Sequence, residues 1–98
     1  MSSSPFLAIP PEQWLASNEL AFAISDQFPV SRGHALVIHR RPVATWFEAT
    51  VEEQQAIMAL AREVKDLLDR RLTPPPDGWN IGINVGAAAG QTIHHLHV

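Results

Sequence analysis

The chain contains no cysteine and a single lysine, Lys65. The first absence excludes disulfides, thiolate metal sites and a cysteine nucleophile. The second argues against a nucleic-acid partner, because binding a polyphosphate backbone normally needs a basic patch. The doublets Arg40-Arg41 and Arg70-Arg71 do not reverse this: Lys+Arg totals 7 against 10 Asp+Glu, a net charge of −3 with neutral histidine. Long hydrophobic runs are also missing. The longest strictly apolar stretch, Ala56–Ala61, and the shorter Leu20–Ile24 and Ala35–Ile38 fall far short of the ~20 residues that span a bilayer. Residues Met1–Pro5 show neither a basic n-region nor an apolar h-region, so no secretory signal is visible. A soluble cytoplasmic protein without a membrane partner is the default expectation. Of the 98 residues, 46% are apolar and 17% charged. That is enough for one domain, 1–98, with a small core.

Residues 1–18 hold Pro5, Pro10 and Pro11 and read as an irregular arm, with one helical turn at Pro11-Glu12-Gln13-Trp14-Leu15. Glu19–Ser25 alternates large Leu20, Phe22 and Ile24 with Ala21 and Ala23, and reads as a strand. Asp26-Gln27-Phe28-Pro29 is turn chemistry. His34–His39 is a second strand, apolar on both faces, and the short link suggests an antiparallel pair. Thr50-x-x-Glu53 is a capping box that opens a helix. Ile57, Leu60, Ala61, Val64, Leu67 and Leu68 follow at helical spacing as one buried stripe. The helix should end near Arg71, ahead of Pro74-Pro75-Pro76. Trp79, Ile81, Ile83 and Val85 alternate with Asn80, Gly82 and Asn84, predicting a third strand. Gly86-Ala-Ala-Ala-Gly90 is a small-residue loop, and Thr92–Val98 returns to extended structure. The order β-β-α-β-β gives an α+β fold, an antiparallel sheet covered by a helix.

Three of the five histidines, His94, His95 and His97, fall in the last five residues. On a strand His95 and His97 share one face, and Leu96 and Val98 take the other. A His pair at this spacing has three readings: a metal pair, a nucleophile with its support, or surface polarity. Gly90-Gln91-Thr92 stands directly before it. Glycine permits close backbone approach, N–H groups in a glycine turn form an anion-binding concavity, and Gln and Thr add neutral donors. This is a phosphate cradle that needs no lysine. A zinc site would want three or four ligands, and no carboxylate lies near in sequence. Imidazole also suits nucleophilic attack near neutral pH, because one nitrogen can attack while a hydrogen bond holds the other.

Gly90-Gln-Thr-Ile-His-His-Leu-His-Val98 resembles the signature of the histidine triad (HIT) family. Phe22–Asp26, Pro29–Ile38 and Trp79–Gly86 fall in the family's order and spacing, so the resemblance covers Glu19–Val98. It implies a HIT-like fold of about five antiparallel strands, one long helix and a short N-terminal helix. It also implies a hydrolase or transferase acting at the α-phosphate of dinucleoside polyphosphates or nucleoside phosphoramidates, through a nucleotidyl-histidine intermediate and without cofactor or metal. His97 maps onto the nucleophile. His95 maps onto the first triad histidine, whose carbonyl orients the nucleophile, and His34 onto a supporting fourth histidine. Asn84, Gly90, Gln91 and Thr92 match phosphate or leaving-group positions, Asp26 the ribose position, and Ile24, Gln27 and Leu36 the base-lining positions. The resemblance further implies a homodimer joined through Val51–Arg71 and Trp79–Val85.

Residue-level alternatives stand beside these roles. His34 could be a satisfied core histidine, Asp26 a turn residue, and Trp14, Trp46 and Trp79 core or dimer contacts. The protein could bind nucleotides with little turnover, or the tail could bind metal. Where the family commonly has proline this chain has His39, a position outside the expected chemistry. The alternation also stops at Val98, one residue before the third histidine of the signature, so the natural protein is expected to continue.

Overall fold

The computed structural model describes residues 4–25, 33–93 and 95–98. Three strands form one antiparallel sheet in sequence order: β1 (Ala16–Ser17), β2 (Ala21–Ser25) and β3 (Ala35–His39). One helix, α1 (Val51–Arg71), packs against it. This is the α+β arrangement that the sequence predicts.

Side-chain size sorts the two faces of β2. Ala21 and Ala23 join Val37, Val43, Leu96 and the α1 residues Ile57, Leu60, Val64 and Leu68 in one cluster. Phe22 and Ile24 join Phe6 and Ile38 in a second cluster on the other face. The small alanines let α1 lie close to the sheet, while the large residues fill the face that no long helix covers. Ala21 stands opposite His39, Phe22 opposite Ile38 and Ile24 opposite Leu36. Asn18 fixes the turn between β1 and β2. Its Oδ1 accepts from the N–H groups of Leu20 and Ala21 at 3.0 and 2.9 Å, and its Nδ2 donates to Ala56 O of α1 at 2.9 Å.

The capping box forms as predicted. Glu53 N–H donates to Thr50 Oγ1 at 3.1 Å, and Thr50 N–H donates to Glu53 Oε1 at 2.8 Å. The helix ends at Arg71, and Leu72 is already extended. Leu67, predicted within the buried stripe, is half-buried at its edge. No helix among the described residues is long and apolar enough to cross a membrane.

Three expectations need correction. The arm is more ordered than predicted: it carries two short 3-10 turns, Pro5–Ala8 and Pro11–Gln13, followed by β1. The predicted strand Trp79–Val85 forms no ladder among the described residues, and Ile81 is 60% exposed. Alternation marks a face but supplies no partner. The edge of β3 away from β2 is taken instead by the chain end, where Val37 and Val98 exchange hydrogen bonds of 2.8 Å and Ile38 faces His97. The predicted return to extended structure over Thr92–Val98 is correspondingly reduced to this single bridge.

Glu53 ties the start of α1 to the end of β3. Arg41 donates through Nε to Glu53 Oε2 at 2.9 Å and through Nη2 to Oε1 at 2.7 Å. The Arg41 guanidinium, then the Thr50 N–H, hold this carboxyl well below the usual carboxylate range, against the opposing effect of burial; the nearby His39 adds to the lowering. A depressed folded pKa means that the unfolded chain binds the proton first. The stabilisation is therefore complete above the ordinary value of 4.5 and is lost as pH falls below it. We expect the urea midpoint of the wild type to drop more steeply below about pH 4.5 than that of Glu53→Gln. Parallel curves for the two proteins would contradict this assignment.

Candidate functional site

The chain end brings two histidines onto the sheet face away from α1. Leu96 points into the α1 cluster, and Val98 packs against that cluster. His95 and His97 both lie against the ring of Phe6, edge-on, with centroids 5.6 and 5.0 Å away. The shared face predicted for the pair is therefore present. His94 lies outside the described residues.

Hydrogen-bond partners set the proton positions. His97 Nδ1 lies 2.7 Å from the carbonyl oxygen of His95. A carbonyl can only accept, so Nδ1 carries the proton and Nε2 keeps its lone pair. His95 is fully buried, and its Nε2 donates to the His39 carbonyl. Its Nδ1 lies 2.6 Å from Ser4 Oγ, whose hydroxyl can donate. His95 is thus a neutral Nε2–H imidazole with both nitrogens engaged. Burial pushes its pKa down, the His39 carbonyl opposes that shift, and His39 and His97 add to it.

A cavity of about 940 Å³ opens beside His97. Its walls bring together His34, Leu36, Asn84, Thr92 and His97, five of the predicted site residues. Ile24 stands opposite Leu36 in the sheet but is buried in the cluster behind it. Asp26 and Gln27 lie outside the described residues.

The glycine loop folds differently from the predicted cradle. Gly86 and Gly90 take φ of 86° and 96°, flanking a 3-10 turn at Ala87–Ala89. The N–H groups of Ala89, Gly90 and Gln91 all donate to carbonyls inside the loop. Gln91 is buried. Its Oε1 accepts from Gly86 N–H at 2.8 Å, and its Nε2 donates to Ala44 O at 2.7 Å and Ile93 O at 3.1 Å. This amide shapes the loop. Asn84, 3.5 Å from the Gly90 carbonyl, and Thr92 are exposed and carry the polar groups at the cavity wall.

Sequence reasoning missed Ser4, Phe6, Glu53 as a site neighbour, and the ring of His39. Ser4 and His95 are 91 positions apart, and no local pattern links them. A buried histidine in an otherwise apolar strand was the one available signal for His39. Among the described residues no group of three or more His, Asp or Glu side chains is placed to hold a metal ion.

The HIT domain pattern matches residues 10–98. An uncharacterized 16.1 kDa HIT-like protein of Mycoplasma pneumoniae is 39% identical over 84 residues, which cover 86% of this chain and 57% of that one. The AP-4-A phosphorylase of Mycobacterium tuberculosis is 30% identical over 102 residues, covering 98% of this chain and 51% of that protein. The chain thus spans little more than half the length of these curated relatives. The crystal structure of SMU.412c from Streptococcus mutans superposes with a TM-score of 0.84 at 27% identity, covering 99% of this chain and 63% of that one.

The state of His95 is measurable. We expect its imidazole to titrate by NMR below the ordinary value of 6.5. The unfolded ring then binds a proton at higher pH than the folded ring. Its share of stability is intact above about 6.5 and declines as pH falls below that. A His95 midpoint at or above 6.5 would show that the ring is not held as described.

Proposed function

The chain belongs to the HIT domain family, and we propose that it binds a nucleotide in the cavity beside His97 and transfers or hydrolyses the nucleotidyl group. The observation that carries this reading is the 2.7 Å contact between His97 Nδ1 and the His95 carbonyl, in a residue that also lines the cavity. It leaves Nε2 with a lone pair and holds the ring from behind, as a histidine nucleophile requires. The lone pair forms an N–P bond to the α-phosphorus as the bond to the leaving group breaks. Water or another acceptor then attacks the same phosphorus, the N–P bond breaks, and the nucleotide is released. His97 can serve again in the same tautomer.

The remaining roles belong to the same proposal. His34 supports the site from the cavity wall, and Leu36, backed by Ile24, offers apolar surface to a base. Asn84 and Thr92 donate to phosphate, while Gly90 and Gln91 shape the loop that presents them. Asp26 and Gln27 are assigned to the nucleoside by resemblance alone. The relative named AP-4-A phosphorylase supports a dinucleoside polyphosphate as the substrate class.

Incubation with a dinucleoside polyphosphate and with a fluorogenic nucleoside phosphoramidate tests the reading. We expect release of nucleoside monophosphate by the wild type and its loss, by about 10³-fold or more, in His97→Ala. The dissociation constant for a nucleotide should stay within about threefold, because affinity comes from the cavity walls. Binding without turnover in the wild type would reduce the protein to a nucleotide-binding module.

The chain also pairs with a second copy in this reading. Trp79 and Ile81 expose 39% and 60% of their surface in a segment without a strand partner among the described residues. An open apolar edge of this kind is stabilised by pairing. Sedimentation at micromolar concentration should give the mass of two chains, and a monomer alone would refute the dimer.

A further inference from the structure

We infer that His39 is a positioning residue for the reaction: its ring, held by Glu53 and the Arg41 carbonyl, fixes the backbone that receives His95 and thereby aims His97. The inference rests on the reading of His97 as nucleophile. His39 does not line the cavity, and its side chain is fully buried at the end of β3. Its backbone holds the chain end twice. The N–H donates to Leu96 O at 3.1 Å, and the carbonyl accepts from His95 Nε2. The carbonyl of His95 in turn accepts from His97 Nδ1 at 2.7 Å. Two carbonyls and two rings thus connect His39 to the nucleophile.

The ring of His39 is locked from the other side. Its Nδ1 faces the Arg41 carbonyl. Its Nε2 lies 2.8 Å from Glu53 Oε2, off the line of a good hydrogen bond but in direct electrostatic contact. Both neighbours are acceptors. A carbonyl and a carboxylate thus bracket the ring and fix its plane. The charged and titratable groups around it are Glu53 from α1, Arg41 from the segment after β3, and His95 from the chain end. The Glu53 carboxylate therefore meets both the Arg41 guanidinium and the His39 ring. A buried charge of this kind needs its partner. Removing either His39 or the Glu53 charge frees the end of β3 at the point where His95 is anchored.

Misplacing a reacting group by about 1 Å can cost on the order of 10²-fold in rate. His39→Gln keeps a donor but loses the ring, and Glu53→Gln removes the anion that locks it. In the full-length protein, each should lower kcat by about 10- to 100-fold and leave KM within about twofold. The two together should cost little more than one. An unchanged kcat in folded variants, or a loss entirely in KM, overturns the proposal. Nitrogen-detected NMR of the imidazoles in the wild type is independent of turnover and of how the variants fold. It should show His95 as the Nε2–H tautomer at neutral pH. His95 protonated at Nδ1 overturns it equally. If His97→Ala retains turnover, the nucleophile assignment falls instead, and the NMR result identifies which of the two has failed.

Discussion

One buried carboxylate joins the helix, the sheet and the site. Glu53 Oε1 accepts from Thr50 N–H at 2.8 Å and Arg41 Nη2 at 2.7 Å, while Oε2 accepts from Arg41 Nε at 2.9 Å and lies 2.8 Å from His39 Nε2. A carboxylate only 6% exposed is tolerable because donors surround it. The same four contacts decide where α1 begins, where β3 ends, and how the segment between them is tethered. A packed apolar interface alone would allow α1 to slide on the sheet. A charge with fixed partners at one end removes that freedom.

Beyond this junction, packing follows a division by size. Alanines on the helix side of β2 and bulky residues on the other side place the helix and the chemistry on opposite faces. The chain end obeys the same sorting, with Leu96 toward α1 and His95 and His97 toward Phe6. The histidines are therefore backed by an apolar aromatic edge, which excludes water from His95 and keeps it neutral. Trp14 extends this face, stacked on Phe22 at 4.5 Å and covered by the Arg40 guanidinium.

Periodicity and capping were legible in the sequence because they are local. Thr50 and Glu53 are three apart, Ile57, Leu60, Val64 and Leu68 share one helical face, and His95 and His97 share one strand face. Residues 79–85 have an equally clear period but no ladder among the described residues. Whether a strand pairs depends on which edge is vacant, and β3 already holds residues 96–98. Ser4 and His39 escaped notice for a related reason. A serine near the N-terminus and a histidine closing an apolar strand acquire meaning only when the fold sets them beside His95. The Gly90–Thr92 segment was legible as a loop at the site. Its internal hydrogen bonds, which spend the N–H groups predicted to face a phosphate, depend on Gln91 reaching Ala44 across the fold.

The three engaged imidazoles show how backbone geometry assigns chemistry. His97 takes its orientation from a carbonyl two residues earlier, a contact available to any suitably extended segment. His95 takes its tautomer from the carbonyl of His39, 56 positions away, a contact that exists only when the chain end docks on β3. His39 faces an acceptor on each side and is the one ring of the three in contact with a carboxylate. Identical side chains thus receive different proton arrangements from the oxygens around them. The local contact points the lone pair of His97, but only the long-range contacts hold His95 still enough for that direction to be fixed. The precision of the proposed nucleophile accordingly depends on the register between β3 and residues 96–98, and that register is anchored where His39 meets Glu53.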